Sequence, residues 1–173
     1  MFGTKWRFNK KFLPADRRGF TIVEIIVVIA IIASAFIAIL SFFVFDSRVS
    51  DRGRMKLRAV SLIEEATEAV RNFRDNNDWT IDGIGNLIVE VNYHPVMASK
   101  SWDILSGSEV IDGFTRSVVF SNVSRDGNDN IEQSYNPFNN DLDTKKIKIT
   151  VSWTDRNGLT SESLETYLTN WKR

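Results

Sequence analysis

The chain has no cysteine among its 173 residues and a single histidine, His94. The first absence excludes disulfide staples, thiolate metal sites and cysteine nucleophiles. The second leaves almost nothing from which to build a Ser-His-Asp triad or a histidine-rich metal centre. Proline is missing between Pro14 and Pro95, so no ring interrupts a helix there. Net charge is absent too, with 22 Lys+Arg against 22 Asp+Glu, but that zero is the sum of unlike parts. Residues 1–19 carry Lys5, Arg7, Lys10, Lys11, Arg17 and Arg18 against Asp16 alone, a net of +5, which leaves −5 on the rest. A basic leader on an acidic body argues against the body coating nucleic acid, and no nucleic-acid contact is predicted.

What the sequence has in quantity is apolar surface in one place. Residues 25–45 form an uncharged run of 21, interrupted only by Ser34 and Ser41. As a helix the run spans about 30 Å, the thickness of a bilayer's hydrocarbon core. Its Ile and Val content would suit a buried strand, but such strands run to only about 4–8 residues. Five net positives precede the run, while Asp46, Arg48, Asp51 and Arg52 after it cancel. The positive-inside rule therefore predicts residues 1–19 in the cytoplasm and residues 46–173 exported. An ordinary secretory signal has a shorter apolar core and a small-residue cleavage site after it. Asp-Ser-Arg-Val-Ser-Asp-Arg follows Phe45 instead.

One charge lies inside the apolar stretch. Glu24 is its fifth residue, where a carboxylate costs about 2.5–3.5 kcal/mol at bilayer centre and less near the interface. Either it reaches water at headgroup depth, or it awaits a cation, for which an α-amino group released by a nearby cut is a candidate. Its surroundings are Arg17-Arg18-Gly19-Phe20-Thr21-Ile22-Val23-Glu24. Basic residues, a glycine, a phenylalanine opening an apolar helix and a glutamate at its fifth position together resemble the processing motif of type IV prepilins and pseudopilins.

That resemblance implies a cut between Gly19 and Phe20 by a membrane prepilin peptidase on the cytoplasmic side, followed by N-methylation of Phe20. It also implies retention of the helix and its packing against other pilin subunits, with Glu24 answering a neighbour's new N-terminus. Glycine at 19 would let the backbone enter a narrow protease cleft, and pairing would offset the penalty of burying either charge alone. Further implied partners are the inner-membrane assembly machinery and membrane lipid, the latter also suited to the basic leader. The 19-residue leader, the lack of a mid-helix proline and the lack of a C-terminal disulfide loop point to a minor pilin or pseudopilin rather than a major subunit.

Beyond Phe45 the composition changes. Residues 47–75 read as an amphipathic continuation of the helix, with Leu57, Val60, Ile63, Val70 and Phe73, and Leu62, Ala66 and Ala69 beside them, at spacings of 3 and 4. If continuous, residues 20–75 make a rod of about 80 Å; Gly53 weakens it, and Asn76-Asn77-Asp78 stops it. Strands are predicted at Leu87–Tyr93, Phe114–Val123, Lys146–Trp153 and Ser161–Asn170, the last two joined by an Asn157-Gly158 hairpin turn. The domains are therefore a cleaved basic leader (1–19), a membrane and assembly helix (20–45), an amphipathic helix of the head (46–77) and an exported head (78–173). The fold class is α+β, a long N-terminal helix packed on a small antiparallel sheet.

Conventional chemistry finds little support. Asp126, Asn128, Asn130, Asp141 and Asp143 are oxygen donors of the kind calcium prefers, but their spacing is not that of an EF-hand loop, and such residues are common in turns. They are weak metal candidates; no cofactor is predicted. His94 is expected on a surface loop with no nucleophile beside it. Trp79, Trp102, Trp153 and Trp171 suit a small core better than a binding platform. Phe36, Phe42, Phe43 and Phe45 suit lipid or helix packing. No catalytic constellation is visible, and the chain reads as a non-enzyme: a pilin-like subunit of a pilus, secretion or DNA-uptake filament. The alternative is an uncleaved single-pass anchor carrying a small exported binding domain.

Overall fold

A computed structural model of the protein describes residues 19–156 and 158–172; the basic leader up to Arg18 and Asn157 of the hairpin turn lie outside the described residues. The chain divides into two compact units, with the boundary after Ser47. Helix α1, Ile22–Asn76, contributes to both, and its helical bonding continues through Gly53.

In the N-terminal unit α1 is formed by the apolar run, and every residue of the run is exposed. The two hydroxyls in it are satisfied within the helix: Ser34 Oγ donates to the Ile31 carbonyl and Ser41 Oγ to that of Ile37, each at 2.9 Å. No side-chain hydroxyl in that stretch therefore needs water as a partner, which is what hydrocarbon demands. Among the described residues, Ile22–Asn76 is the one helix long and apolar enough to cross a membrane.

In the second unit α1 buries Ala59, Leu62, Ile63, Ala66, Thr67, Ala69, Val70 and Phe73. These lie on one stripe of a helix that turns about 100° per residue. The expected stripe also held Leu57 and Val60, and here the structure corrects it: Leu57 is 72% exposed. Measured from Ala66, Leu57 falls about 180° around the helix and Val60 about 120°, so neither can join the buried line. A spacing of three to a neighbour is not enough when the whole stripe is considered.

The stripe packs on an antiparallel sheet of six strands: β1 (Asn92–Ala98), β2 (Ser101–Ser106), β3 (Glu109–Ile111), β4 (Phe114–Ser124), β5 (Asn140–Asp155) and β6 (Gly158–Thr169). The order is β2-β1-β4-β5-β6, with β3 pairing β4 off this path. Alternation sets the faces. Phe114, Val118 and Phe120 of β4 and Ile147, Ile149, Val151 and Trp153 of β5 point into the same core as the helix stripe. Each large apolar side chain so buried contributes about 1.5–3 kcal/mol. Thr115, Ser117, Thr150 and Ser152 alternate with them on the opposite face.

The predicted strand at Leu87–Tyr93 is displaced. Residues 84–86 form a 3-10 turn closed by Leu87 N–H on the Ile84 carbonyl at 3.3 Å, and Glu90 sits at φ 60°, which an extended run cannot contain. Leu87 and Val91 are apolar because they pack against the core from an irregular segment. The strand begins at Asn92 and passes through Pro95, which pairs with Ile104 of β2. On its other side β1 pairs with β4 only at Asn92 and Tyr93, ending before the proline, whose nitrogen cannot donate to a ladder.

Candidate functional site

The N-terminal end of α1 is built by a short local code. Gly19, Phe20 and Thr21 precede the helix, and all three are exposed. Thr21 caps it: Oγ1 accepts from the backbone N–H of Glu24 at 3.2 Å, and the Thr21 carbonyl accepts the first helical bond, from Ile25, at 3.2 Å. Thr21-Ile22-Val23-Glu24 is the S/T-x-x-E pattern of a capping box, a signal the sequence displayed and that reading for charge alone passes over. It sets Glu24 in the first turn, where the helix dipole favours a negative charge. Glu24 is thus fixed through its backbone about one turn from the Gly19–Phe20 junction, and the residue remains exposed.

A Cβ built at Gly19 meets no atom of the described residues within 4 Å. None of those residues makes a packing demand on it, in contrast to Gly85, where the same Cβ would stand 2.5 Å from the Trp79 ring.

The weak metal candidates fall in two places, Asp126, Asn128 and Asn130 in the turn after β4 and Asp141 and Asp143 in the first residues of β5. Asp126 Oδ1 accepts from the backbone N–H groups of Asn128 and Asn130, each at 2.9 Å, and Oδ2 from Asn130 Nδ2 at 3.2 Å. These amides hold the Asp126 carboxyl below the usual aspartate range, the Asn130 backbone N–H contributing most. Asp141 accepts from Arg125 Nε at 2.6 Å, and Asp143 accepts from Asn170 Nδ2 at 3.0 Å. Among the described residues no three acidic or histidine side chains gather as a metal site would need.

His94 is not on a loop. It lies in β1 opposite Leu105, half-buried, with Nδ1 enclosed and without a hydrogen-bond partner among the described residues. The four tryptophans do not form one platform: Trp79 and Trp153 are in the core, Trp102 is half-buried and Trp171 is exposed. Trp79 Nε1 donates to the Leu142 carbonyl at 2.9 Å and Trp171 Nε1 to Asp75 at 2.9 Å. Lys172 Nζ donates to the Asp75 carbonyl, so the C-terminal residues fasten onto the end of α1. The Asp75 carboxyl is lowered by its bond from Arg74 first and by Trp171 second.

Residues 14–40 match the family model of the prokaryotic N-terminal methylation motif. Searches of curated proteins and of solved structures found no match. Over these residues the chain is similar to type IV pilin-like prepilins, which carry this motif at the start of their apolar helix. The motif and the exposed apolar helix fit a subunit anchored in the inner membrane.

Proposed function

We propose that the chain is a minor pilin or pseudopilin. Prepilin peptidase cuts between Gly19 and Phe20 and methylates Phe20, and Glu24 then receives the ammonium of a neighbouring subunit. The observation that carries this reading is the coincidence of three features within six residues: a glycine on which the described residues make no packing demand, an exposed Phe20, and Glu24, capped through its backbone into the first turn of α1 just ahead of 21 uncharged residues. A new α-amino group has a pKa near 8 and is cationic at neutral pH. Buried with Glu24 of another copy, it forms an ion pair that sets the register between subunits, since either charge left alone in the packed helices is costly. The exposed apolar surface of α1 anchors the subunit in lipid first and packs against other helices afterwards. Residues 46–173 are exported, and the head carries no catalytic role.

Two substitutions test this. Gly19→Leu blocks cleavage while leaving the chain in the membrane. Glu24→Val allows cleavage and insertion but removes the subunit from sheared filaments. A Glu24→Val protein that still enters filaments at the parental level contradicts the pairing role.

A further inference from the structure

Beyond the assembly role, we propose that a groove at the start of the second unit binds the phosphates of anionic lipid headgroups at the outer face of the membrane that holds α1. The groove has a volume of about 890 Å³ and lies between the first turns of the second unit's helix and the β5–β6 hairpin. Arg48, Arg52 and Arg54 enter it from α1, and Arg156 comes from the hairpin over one hundred residues later. Met55 and Trp153 supply its apolar surface.

Charge argues for the occupant. Three carboxylates also line the groove, on Asp51, Asp155 and Glu162. Glu162 is engaged by Lys56 at 2.8 Å. With Lys56, five cationic side chains line the groove against these three carboxylates, so its lining carries a net positive charge. Planar guanidiniums are suited to phosphate oxygens, which they bind in bidentate fashion.

Position selects lipid as the source of the phosphate. Arg48 follows the end of the apolar run by three residues, and three residues of chain reach at most about 10 Å even when extended. Headgroups occupy about the outermost 5–8 Å on each side of the hydrocarbon. Wherever residues 25–45 span a bilayer, Arg48 is therefore within reach of phosphates, and a basic residue there gains about 1 kcal/mol from an anionic surface.

This proposal rests on residues 25–45 being membrane-inserted, and the experiment separates the two. The full chain is reconstituted with vesicles of phosphatidylcholine alone and of phosphatidylcholine with phosphatidylglycerol. Flotation reports insertion, and amide hydrogen exchange over residues 153–160 reports the groove. We expect flotation with both, and exchange in the hairpin slowed at least threefold by phosphatidylglycerol, with the slowing lost in the Arg52→Glu/Arg156→Glu variant. Equal exchange in the two lipids, or slowing that persists in the variant, overturns the proposal while leaving insertion standing. Slowing reproduced by inorganic phosphate with phosphatidylcholine vesicles assigns the groove to a free anion and overturns the lipid source. Failure to float overturns the membrane reading and this proposal with it.

Discussion

Arg116 on β4 donates through Nη1 to the Glu65 carboxylate of α1 at 3.1 Å and, from the same nitrogen, to the Leu62 carbonyl at 3.0 Å. Its Nη2 lies 2.6 Å from Glu109 of β3. The residue is 1% exposed and is a charged element that ties helix, central sheet and short third strand together. A guanidinium so enclosed is tolerated only because its donors meet acceptors.

Removing it leaves a cavity and strips a partner from two carboxylates. Arg116→Ala is expected to lower stability by about 2–4 kcal/mol, read from thermal unfolding of the full chain in detergent. Glu109→Gln should cost more than Glu65→Gln, because the Glu65 side chain is the more exposed of the two and loses less when its charge is removed. Equal effects from the two glutamine variants contradict this assignment.

Gly85 presses against Trp79. A methyl group there would lie 2.5 Å from ring atoms Cδ1 and Nε1, so Gly85→Ala must push the indole away from the Leu142 carbonyl. Overpacking of this kind costs about 1–3 kcal/mol. The expected mark is a shift of the Trp79 indole N–H resonance toward that of an unbonded indole, with the other tryptophans unmoved.

Asp126 makes its loop acid-sensitive. Its carboxyl is lowered in the folded chain, so it binds a proton less readily there than when unfolded. The stabilisation is present above the unfolded aspartate pKa and is lost as pH falls through the lowered folded value. Amide exchange at Asn128 and Asn130, corrected for intrinsic pH dependence, should accelerate several-fold across that acidic window. Asp126→Ala should show the fast exchange already at neutral pH.

The boundaries of this fold were legible to different degrees for identifiable reasons. The membrane-length run and the long helix could be read because twenty-one uncharged residues admit few other structures. The alternation of Ile147, Ile149, Val151 and Trp153 placed β5, although it extends from Asn140 to Asp155. The hairpin of β1 and β2 carried no such signal: its turn uses Ser99 at φ 58° rather than glycine or asparagine, and in β2 only Ile104 is buried. The β3–β4 turn was encoded and went unread. Asp112 and Gly113 take φ 52° and 84°, the positive pair that a two-residue hairpin favours. At the N-terminal site the sequence displayed Gly19, Phe20 and Glu24, whereas the lack of packing on Gly19 among the described residues and the hydrogen bond from Glu24 to Thr21 needed coordinates.

The groove of Arg48, Arg52, Arg54 and Arg156 lay beyond pattern reading altogether. Charges scattered along a helix look like a solvated face until a hairpin from the far end of the chain brings another arginine beside them. Leu57 and Val60 show the converse, since a short apolar spacing suggested burial that the stripe as a whole does not permit.

The central claim is that the Gly19–Phe20 bond is cut and the new terminus modified. The most direct test is the intact mass of the protein recovered from membranes that contain an active prepilin peptidase. The account predicts a mass lacking residues 1–19 and carrying one added methyl group, located on Phe20 by fragmentation. A full-length mass, with a control prepilin processed in the same membranes, would contradict it and leave an uncut membrane anchor in its place.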